Sequence, residues 1–175
     1  MDASTQTSNL PSQPDAAAGG GAGVPRQFIS FRIGNEEYAI DIMAVREIKG
    51  WVNTTTLPNQ PKFILGVLNL RGTIVPIFDL RCRFGMGLTD ATRTHVVIIV
   101  SVGDRIIGLL VDAVSDILTV NSNEIRPVPE MDRTVSAEFL SGIITVNDSM
   151  VVMLSLENLF SRSALAAATA AAAAA

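Results

Sequence analysis

The chain has 175 residues, of which 48% are apolar, enough to fill the core of one domain or of two small ones. Its 13 basic and 17 acidic side chains give a formal net charge of -4, which disfavours binding to a phosphate backbone. No export signal opens the chain, and no apolar run approaches the roughly 18 residues that a membrane-spanning helix needs. These features predict a cytoplasmic protein without direct membrane insertion.

The two ends of the chain differ in composition from its middle. Residues 1–25 are mostly small and polar and end in GGGAGVP, so we predict a disordered tail. Residues 163–175 are nearly all alanine, which favours a helix but offers no amphipathic face, and we predict an Ala-rich tail without an assigned function. The folded domain is therefore expected to span residues 26–162.

Between the tails, short β-rich runs are separated by turn residues, as in a small barrel or sandwich. Seven such runs follow one another: FISFRI, EYAIDI, TIVPIFDL, HVVIIVSV, RIIGLLVDAV, GIITV and MVVMLSL. Helix signals are weak, with a turn near residues 43–45, another after Pro61 and a short terminal helix at residues 156–160. We predict an all-β fold with short helical turns.

The second half of the domain repeats the first. Two alignments without gaps define the repeat: residues 63–84 on 139–160, with a shift of 76, and residues 28–48 on 97–117, with a shift of 69. The difference of seven residues is a loop insertion near residues 121–138. Units of about 65 residues, near 28–84 and 97–160, are marginal alone. We therefore predict a pseudo-two-fold pair of small barrels that share strands or a common face.

The side chains that carry chemistry are few and scattered. His95 is the only histidine and opens an apolar strand, and a single cysteine, Cys82, cannot form an intrachain disulfide or a cysteine-based metal cluster. The acidic residues near strand ends occur singly and define no catalytic pair: Asp79, Asp112, Asp116 and Glu157. We predict no catalytic, cofactor-binding or metal-binding residues, and therefore no enzyme.

Arg71 lies in the segment NLRGTIVPIFDL, at the tip of a predicted tight turn between two apolar strands. We expect a type I turn in which Asn69 takes the first position and Gly72 the left-handed one, so that Arg71 occupies an unrestricted position. The repeat places Asn-Asp, residues 147–148, at the equivalent turn, which must form without a guanidinium. Arg71 is then either an exposed charge worth about 0–1 kcal/mol or the anchor of a protein interface, oriented by Glu47.

These segments resemble the CheW-like family of chemotaxis coupling proteins. The similarity runs from Gln27 to about Phe160, through EYAIDIMAVREI, FILGVLNLRGTIVPIFDLR, VVIIVSVGDRIIGLLVDAVSDIL and IRPVPE. The NLRG turn followed by VPIFDLR is specific to this family. The resemblance implies two five-stranded SH3-like barrels related by pseudo-two-fold symmetry, which agrees with the repeat.

The resemblance also implies a non-catalytic adaptor without cofactors. Such an adaptor couples the cytoplasmic tips of chemoreceptors, the methyl-accepting chemotaxis proteins, to the regulatory domain of the histidine kinase CheA. It is recruited to membrane-associated receptor arrays, where self-association is also expected. Two surfaces are implied, an apolar groove near Val45 and Arg71 and a barrel end elsewhere.

The family's partner-binding positions fall on five residues of this chain: Val45, Glu47, Gly66, Arg71 and Val96. Val45 and Val96 are equally consistent with ordinary core valines. Gly66 has a counterpart in Gly142, so part of its role must be structural, such as close backbone packing in both barrels.

Two other classes of function compete with the adaptor. A small barrel that binds single-stranded nucleic acid needs aromatic stacking platforms in a basic groove, and Trp51 and Tyr38 in an acidic chain are too few. An enzyme of an unrecognised type is disfavoured by the scattered polar residues. We predict no nucleic acid partner.

Overall fold

The computed structural model describes residues 23–129 and 137–161, and these form ten β-strands in two five-stranded sheets. The strands are β1 (Pro25–Ile33), β2 (Glu36–Asp41), β3 (Val45–Gly50), β4 (Ile64–Leu70), β5 (Thr73–Asp79), β6 (Val96–Val102), β7 (Arg105–Val111), β8 (Ala113–Asn121), β9 (Leu140–Val146) and β10 (Ser149–Leu154). Short helices are α1 (Leu80–Arg83), α2 (Leu156–Leu159) and 3-10 turns at Ile42–Ala44, Ser122–Glu124 and Ala137–Phe139.

Each sheet is built from both repeat units. Sheet A has the order β8-β1-β2-β10-β9, and sheet B has the order β3-β6-β7-β5-β4. The first unit therefore contributes β1 and β2 to sheet A but its other three strands to sheet B, and the second unit does the reverse. Each sheet has one parallel pair, β2 with β10 and β5 with β7. When each strand is replaced by its counterpart in the other repeat unit, the strand order of sheet A becomes that of sheet B. This confirms the predicted pair of five-stranded units related by pseudo-two-fold symmetry.

The apolar side chains form three clusters. The central cluster contains residues of both sheets, including Phe31, Phe78 and Ile98. A second cluster lies on the other face of sheet A, around Phe28. A third cluster lies on the other face of sheet B, around Val97. Because neighbouring residues point to opposite faces of a strand, β1 is buried on both sides over residues 28–31 and β6 over residues 97–100, which explains why these stretches are mostly apolar.

Arg83 contacts residues of both repeat units. Its guanidinium carbon lies 5.0 Å from the ring centre of Phe63 and 4.7 Å from that of Phe139, two residues that the repeat matches. The same guanidinium donates a hydrogen bond of 3.5 Å to the carbonyl of Leu159, which is the counterpart of Arg83 itself. One cation thus contacts equivalent elements of both units.

Several elements differ from the sequence-based expectation. The weak signals at residues 43–45 and 156–160 correspond to a 3-10 turn and to α2, and the turn expected after Pro61 is closed by a 3.0 Å hydrogen bond from Ile64 N to Pro61 O. Strands β3, β4 and β8 were not among the seven predicted runs, because charged and polar residues or Gly66 interrupt their apolar pattern.

The chain ends also differ in part from the expectation. β1 begins at Pro25, inside the segment that we predicted as a tail, and Val24 N donates a 3.1 Å hydrogen bond to Ser122 Oγ. Residues 1–22 of that segment and the Ala-rich segment lie outside the described residues, as do residues 130–136 of the inserted loop.

Candidate partner-binding site

Arg71 and Gly72 form the two-residue turn between β4 and β5, and both have positive φ, 51° and 87°. Two left-handed residues make a type I′ hairpin turn, which matches the twist of paired strands, and the expected type I turn is therefore wrong. The side chain of Asn69 accepts a 2.8 Å hydrogen bond from Gly72 N. Arg71 does not occupy an unrestricted position, because few residues other than Gly, Asn and Asp adopt this backbone conformation readily.

The equivalent turn of the second unit has the residues that this geometry favours. Asn147 and Asp148 connect β9 to β10 with φ of 49° and 63°. Both side chains tolerate the left-handed region, so this turn forms without an arginine, as the repeat predicted. The turn geometry therefore does not explain why Arg71 is present.

Arg71 is paired with Glu47 of β3. Its Nη2 lies 3.0 Å from Glu47 Oε2, while Lys49 Nζ lies 3.7 Å from the other carboxylate oxygen. The Arg71 side chain is 79% exposed and that of Glu47 only 26% exposed. Because the pair faces water, it contributes at most about 1 kcal/mol to stability. Its clearer effect is to hold an exposed guanidinium in one place.

A groove of about 410 Å³ opens beside this pair. Leu70, Val75, Ile99 and Ile106 give it an apolar lining, and Ile106 is 38% exposed. Charged side chains border it: Arg46, Glu47 and Arg71. An apolar surface with a charged border, including arginine, is typical of protein–protein interfaces.

The other three predicted positions do not line this groove. Val45 and Val96 are partly buried and pack against the central cluster. They lie at opposite ends of the β3–β6 pair, where Val45 faces Val100 and Val96 faces Gly50. The resemblance implies a groove near both Val45 and Arg71, and of these two residues only Arg71 lines the groove described here.

Gly66 of β4 lies against the backbone of a neighbouring segment. Its φ is 150°, and a Cβ at this position would lie 2.4 Å from the carbonyl oxygen of Thr55 and 2.9 Å from Thr54 Oγ1. Thr55 is also hydrogen-bonded to Val67 in both directions, at 2.9 and 3.0 Å. A Cβ on Gly142 would likewise lie 3.1 Å from the carbonyl oxygen of Arg126, so close packing at this point occurs in both barrels.

The histidine and its nearest carboxylate have structural partners. His95 Nε2 lies 3.5 Å from Asp112 Oδ1. The other oxygen, Asp112 Oδ2, accepts hydrogen bonds of 2.7 Å from Gly34 N and from Arg81 Nη2. Asp112 thus ties the β1–β2 turn to α1. Within residues 23–129 and 137–161, no group of three or more His, Cys, Asp or Glu side chains could hold a metal ion.

Cys82 is poorly suited to act as a nucleophile. Burial raises the pKa of its thiol, the negative charge of Asp79 raises this pKa further, and Lys62 opposes the change. The thiol therefore remains protonated at neutral pH, and the thiolate is the reactive form. Asp79 itself is buried and accepts hydrogen bonds from Thr89 N at 2.7 Å and Thr89 Oγ1 at 2.6 Å.

The two aromatic residues considered for base stacking do not form an exposed platform. Tyr38 is buried in the central cluster and its hydroxyl bonds to Glu36. Trp51 is partly buried against the cluster of sheet B. The helices among the described residues are too short to cross a membrane. The described residues thus form a small all-β domain of two strand-exchanged units with an apolar groove bordered by arginine.

Comparison with known proteins identifies the family of this module. The CheW-like domain profile matches residues 27–164. "Probable chemotaxis protein CheW" of Rhizobium etli is 47% identical over 136 residues, which cover 78% of this chain and 88% of the relative. "Chemotaxis protein CheW" of Klebsiella aerogenes is 42% identical over 146 residues, which cover 83% and 88%.

A solved structure agrees with this assignment. The crystal structure of scaffolding protein TtCheW from Thermoanaerobacter tengcongensis superposes with a TM-score of 0.73 and 33% identity, covering 84% of this chain and 95% of that one. The chain belongs to the CheW-like domain family, and the resemblance seen in its sequence is confirmed.

Proposed function

We propose that this chain is a chemotaxis coupling adaptor that links the cytoplasmic tips of chemoreceptors to the regulatory domain of the histidine kinase CheA. Membership of the CheW-like family supports this proposal, as do relatives named for chemotaxis and a structural neighbour described as a scaffolding protein. In this role the chain works in the cytoplasm without catalysis, is recruited to membrane-associated receptor arrays and self-associates there.

The proposal rests on the backbone conformation and surroundings of Arg71. The chain accepts a left-handed arginine at a turn where its own second unit uses Asn-Asp. Unfavourable backbone conformations persist where function maintains them. The guanidinium is exposed, is held by Glu47 and lies beside an apolar groove. In the proposed complex, Arg71 donates a charge-assisted hydrogen bond to the receptor tip while the groove receives an apolar side chain.

The remaining family positions fit supporting roles in this proposal. Glu47 orients Arg71 directly. Gly66 allows β4, which leads into the Arg71 turn, to pack closely on Thr55. Val45 and Val96 pack on the central cluster and fix β3 and β6, the strands that carry Glu47 and Ile99. Gly66, Val45 and Val96 therefore position the site and do not contact the receptor.

Substitution of Arg71 tests the proposal. Arg71→Ala should weaken binding to a purified receptor tip by about 2 kcal/mol, roughly thirtyfold, because it removes a positioned charged contact. Arg93→Ala, which removes an exposed arginine outside the groove, is the matched control and should bind normally. Calorimetric titration measures both, and normal receptor binding by Arg71→Ala would remove Arg71 from the interface.

A charge exchange separates a partner contact from a purely internal ion pair. The double variant Glu47→Arg with Arg71→Glu preserves the pair but reverses its direction. If the two residues acted only on each other, the double variant would bind the receptor tip as the wild type does. We expect it to remain as defective as Arg71→Ala, because the partner's acceptor then faces a carboxylate.

A further inference from the structure

The edge strand β3 carries a β-bulge beside the groove that Arg71 borders. Arg46 is the extra residue of this bulge, because the register with β6 shifts between Val45 and Glu47. In a regular strand, neighbouring side chains point to opposite faces. Here Arg46 and Glu47 both line the groove, together with the opposite residue, Ile99. The bulge therefore turns the side chain of Arg46 toward the groove.

The second unit has the same bulge without an arginine. Ser115, the counterpart of Arg46 under the shift of 69, is the extra residue of β8 where this strand pairs with β1. Ser30 of β1 lies opposite the bulge, and its Oγ accepts a 3.1 Å hydrogen bond from Asp116 N and donates one of 3.2 Å to the Asp116 carbonyl. The bulge thus belongs to the fold of both units, and it does not explain the arginine at position 46.

The residues that give the groove its chemistry differ as a set from their counterparts in the second unit. Two arginines and two isoleucines of the groove are replaced by small polar or acidic residues: Ser115 for Arg46, Asn147 for Arg71, Ser30 for Ile99 and Glu37 for Ile106. The second unit keeps the same strands with a polar set at these positions. Because the fold accepts both sets, the cationic and apolar set of the first unit indicates a ligand that this unit alone binds.

The charges at the groove favour an acidic ligand. Two arginines and one glutamate line it, so the groove has a net charge of +1 in a chain whose net charge is -4. Both oxygens of Glu47 already face cations, Arg71 at 3.0 Å and Lys49 at 3.7 Å. In the part of the chain that the structure describes, no carboxylate is paired with Arg46, which is exposed. Arg46 is therefore available to an acid of a partner.

We propose that Arg46 is a further partner-binding residue of this groove, and that the receptor segment bound there carries two carboxylates, one for each arginine, beside an apolar side chain. This inference rests on the proposed function and adds the chemistry of the segment that is recognised. The two arginines act differently. Arg71 is held in place by Glu47, whereas Arg46 is an exposed charge at the rim, where charged residues select partners and speed association more than they raise affinity.

Arg46→Ser tests this inference, because it installs the residue that the second unit has at the same bulge. The melting temperature should not change, and binding to a purified receptor tip should weaken about fivefold. The affinity should also become less sensitive to salt, since one cation fewer is screened. Arg46→Lys keeps the charge and should retain most of the affinity. Arg105→Ser, the matched control, removes the same charge from β7 next to Ile106 but outside the groove, and it should bind normally. Calorimetric titration at two salt concentrations measures all three.

Substitutions on the receptor tip identify the two carboxylates. Each Glu of the tip is replaced by Gln and each Asp by Asn, one at a time, and each variant tip is titrated with the wild-type chain, with Arg46→Ser and with Arg71→Ala. One amide substitution should remove the effect of Arg46→Ser on binding, and a different one should remove the effect of Arg71→Ala, because a lost partner leaves nothing for the arginine to contact.

The outcomes separate this inference from the proposed function. Normal affinity and salt dependence in Arg46→Ser, together with a defective Arg71→Ala, would overturn the role of Arg46 and leave the adaptor function standing. Normal receptor binding with aggregation of Arg46→Ser in sedimentation would assign Arg46 to protection of the β3 edge instead. If no carboxylate of the tip coupled to Arg46, the two-carboxylate segment would be wrong. A wild-type chain that does not bind the receptor tip would overturn both proposals.

Discussion

At the scale of single residues, Arg71 stands apart from the other side chains with the same backbone conformation. Among the described residues, four other than glycine have positive φ: Asn59, Arg71, Asn147 and Asp148. Three are Asn or Asp, whose short polar side chains tolerate the left-handed region, while a larger side chain costs on the order of 1 kcal/mol there. Arg71 therefore makes its own turn less stable than it could be.

This conflict predicts that binding and stability respond in opposite directions to one substitution. Arg71→Asn should keep or raise the free energy of unfolding by up to about 1 kcal/mol, because relief of the backbone offsets the loss of an exposed ion pair. Its receptor binding should nevertheless fall as in Arg71→Ala. Urea denaturation measures the first quantity.

The equivalent turn supplies the matched control for that experiment. Asn147→Ala removes a favourable residue from φ of 49° and should lower the free energy of unfolding by about 1 kcal/mol. A large loss of stability in Arg71→Asn would mean instead that the pair with Glu47 supports the fold.

The sequence predicted the ion pair of this site but not the backbone conformation of its turn. The pairing of Arg71 with Glu47 followed from the charge of Glu47. The turn type did not follow, because Asn69 and Gly72 fit a type I turn as well as the observed one. The register of Leu70 opposite Thr73 decides between them, and it depends on packing along the whole β4–β5 pair.

At the scale of elements, β4 and β9 each bend around a neighbouring segment at an equivalent glycine. Thr55 forms an isolated bridge to Val67, and Arg126 forms one to Ile143, the counterpart of Val67. Gly66 and Gly142 lie next to these bridges. The shared geometry indicates that Gly66 serves the fold, whereas the family resemblance predicts that it binds a partner.

The two glycines should respond differently to a methyl group. Gly66→Ala places Cβ 2.4 Å from a backbone oxygen at a φ of 150°, so it should destabilise by about 3 kcal/mol or more. In Gly142→Ala the nearest atom, at 2.6 Å, is Ile125 Cγ2, which can move with its side chain. We therefore expect a smaller decrease in melting temperature for Gly142→Ala, measured by calorimetry. Equal decreases would argue against the backbone contact as the cause.

Elements with a plain apolar pattern were predictable from the sequence, whereas three of the four edge strands, β3, β4 and β8, were not. β1 and β6 are buried on both faces and stand out as apolar runs. β3 and β8 are edge strands whose exposed residues carry polar groups, so their pattern is weak. The repeat did contain the signal for α1, because its alignment places residues 80–83 on α2.

At the scale of the whole molecule, the chain changes sheets twice by short steps. Ile42–Ala44 carries it from β2 in sheet A to β3 in sheet B, and Asp112 carries it from β7 in sheet B to β8 in sheet A. These crossings exchange strands between the repeat units. The repeat predicted two units that share strands or a face, but it could not choose between these arrangements, because either buries the same apolar residues.

Strand exchange predicts that the halves depend on each other. A chain cut at residue 90 leaves β1–β5 in one fragment and β6–β10 in the other, so the pairs β1–β8, β2–β10, β3–β6 and β5–β7 are all lost within a fragment. Each fragment then exposes strand edges and apolar faces, and each large side chain removed from the core forfeits about 1.5–3 kcal/mol. Separately, neither fragment should form a folded monomer, as measured by circular dichroism and sedimentation.

Mixed in equal amounts after refolding, the two fragments should form a one-to-one complex with the spectrum of the intact chain, since every strand then regains its partner. Two fragments that fold independently as monomers would contradict the exchanged topology, whereas fragments of an unrelated sequence with similar composition should give no complex at all.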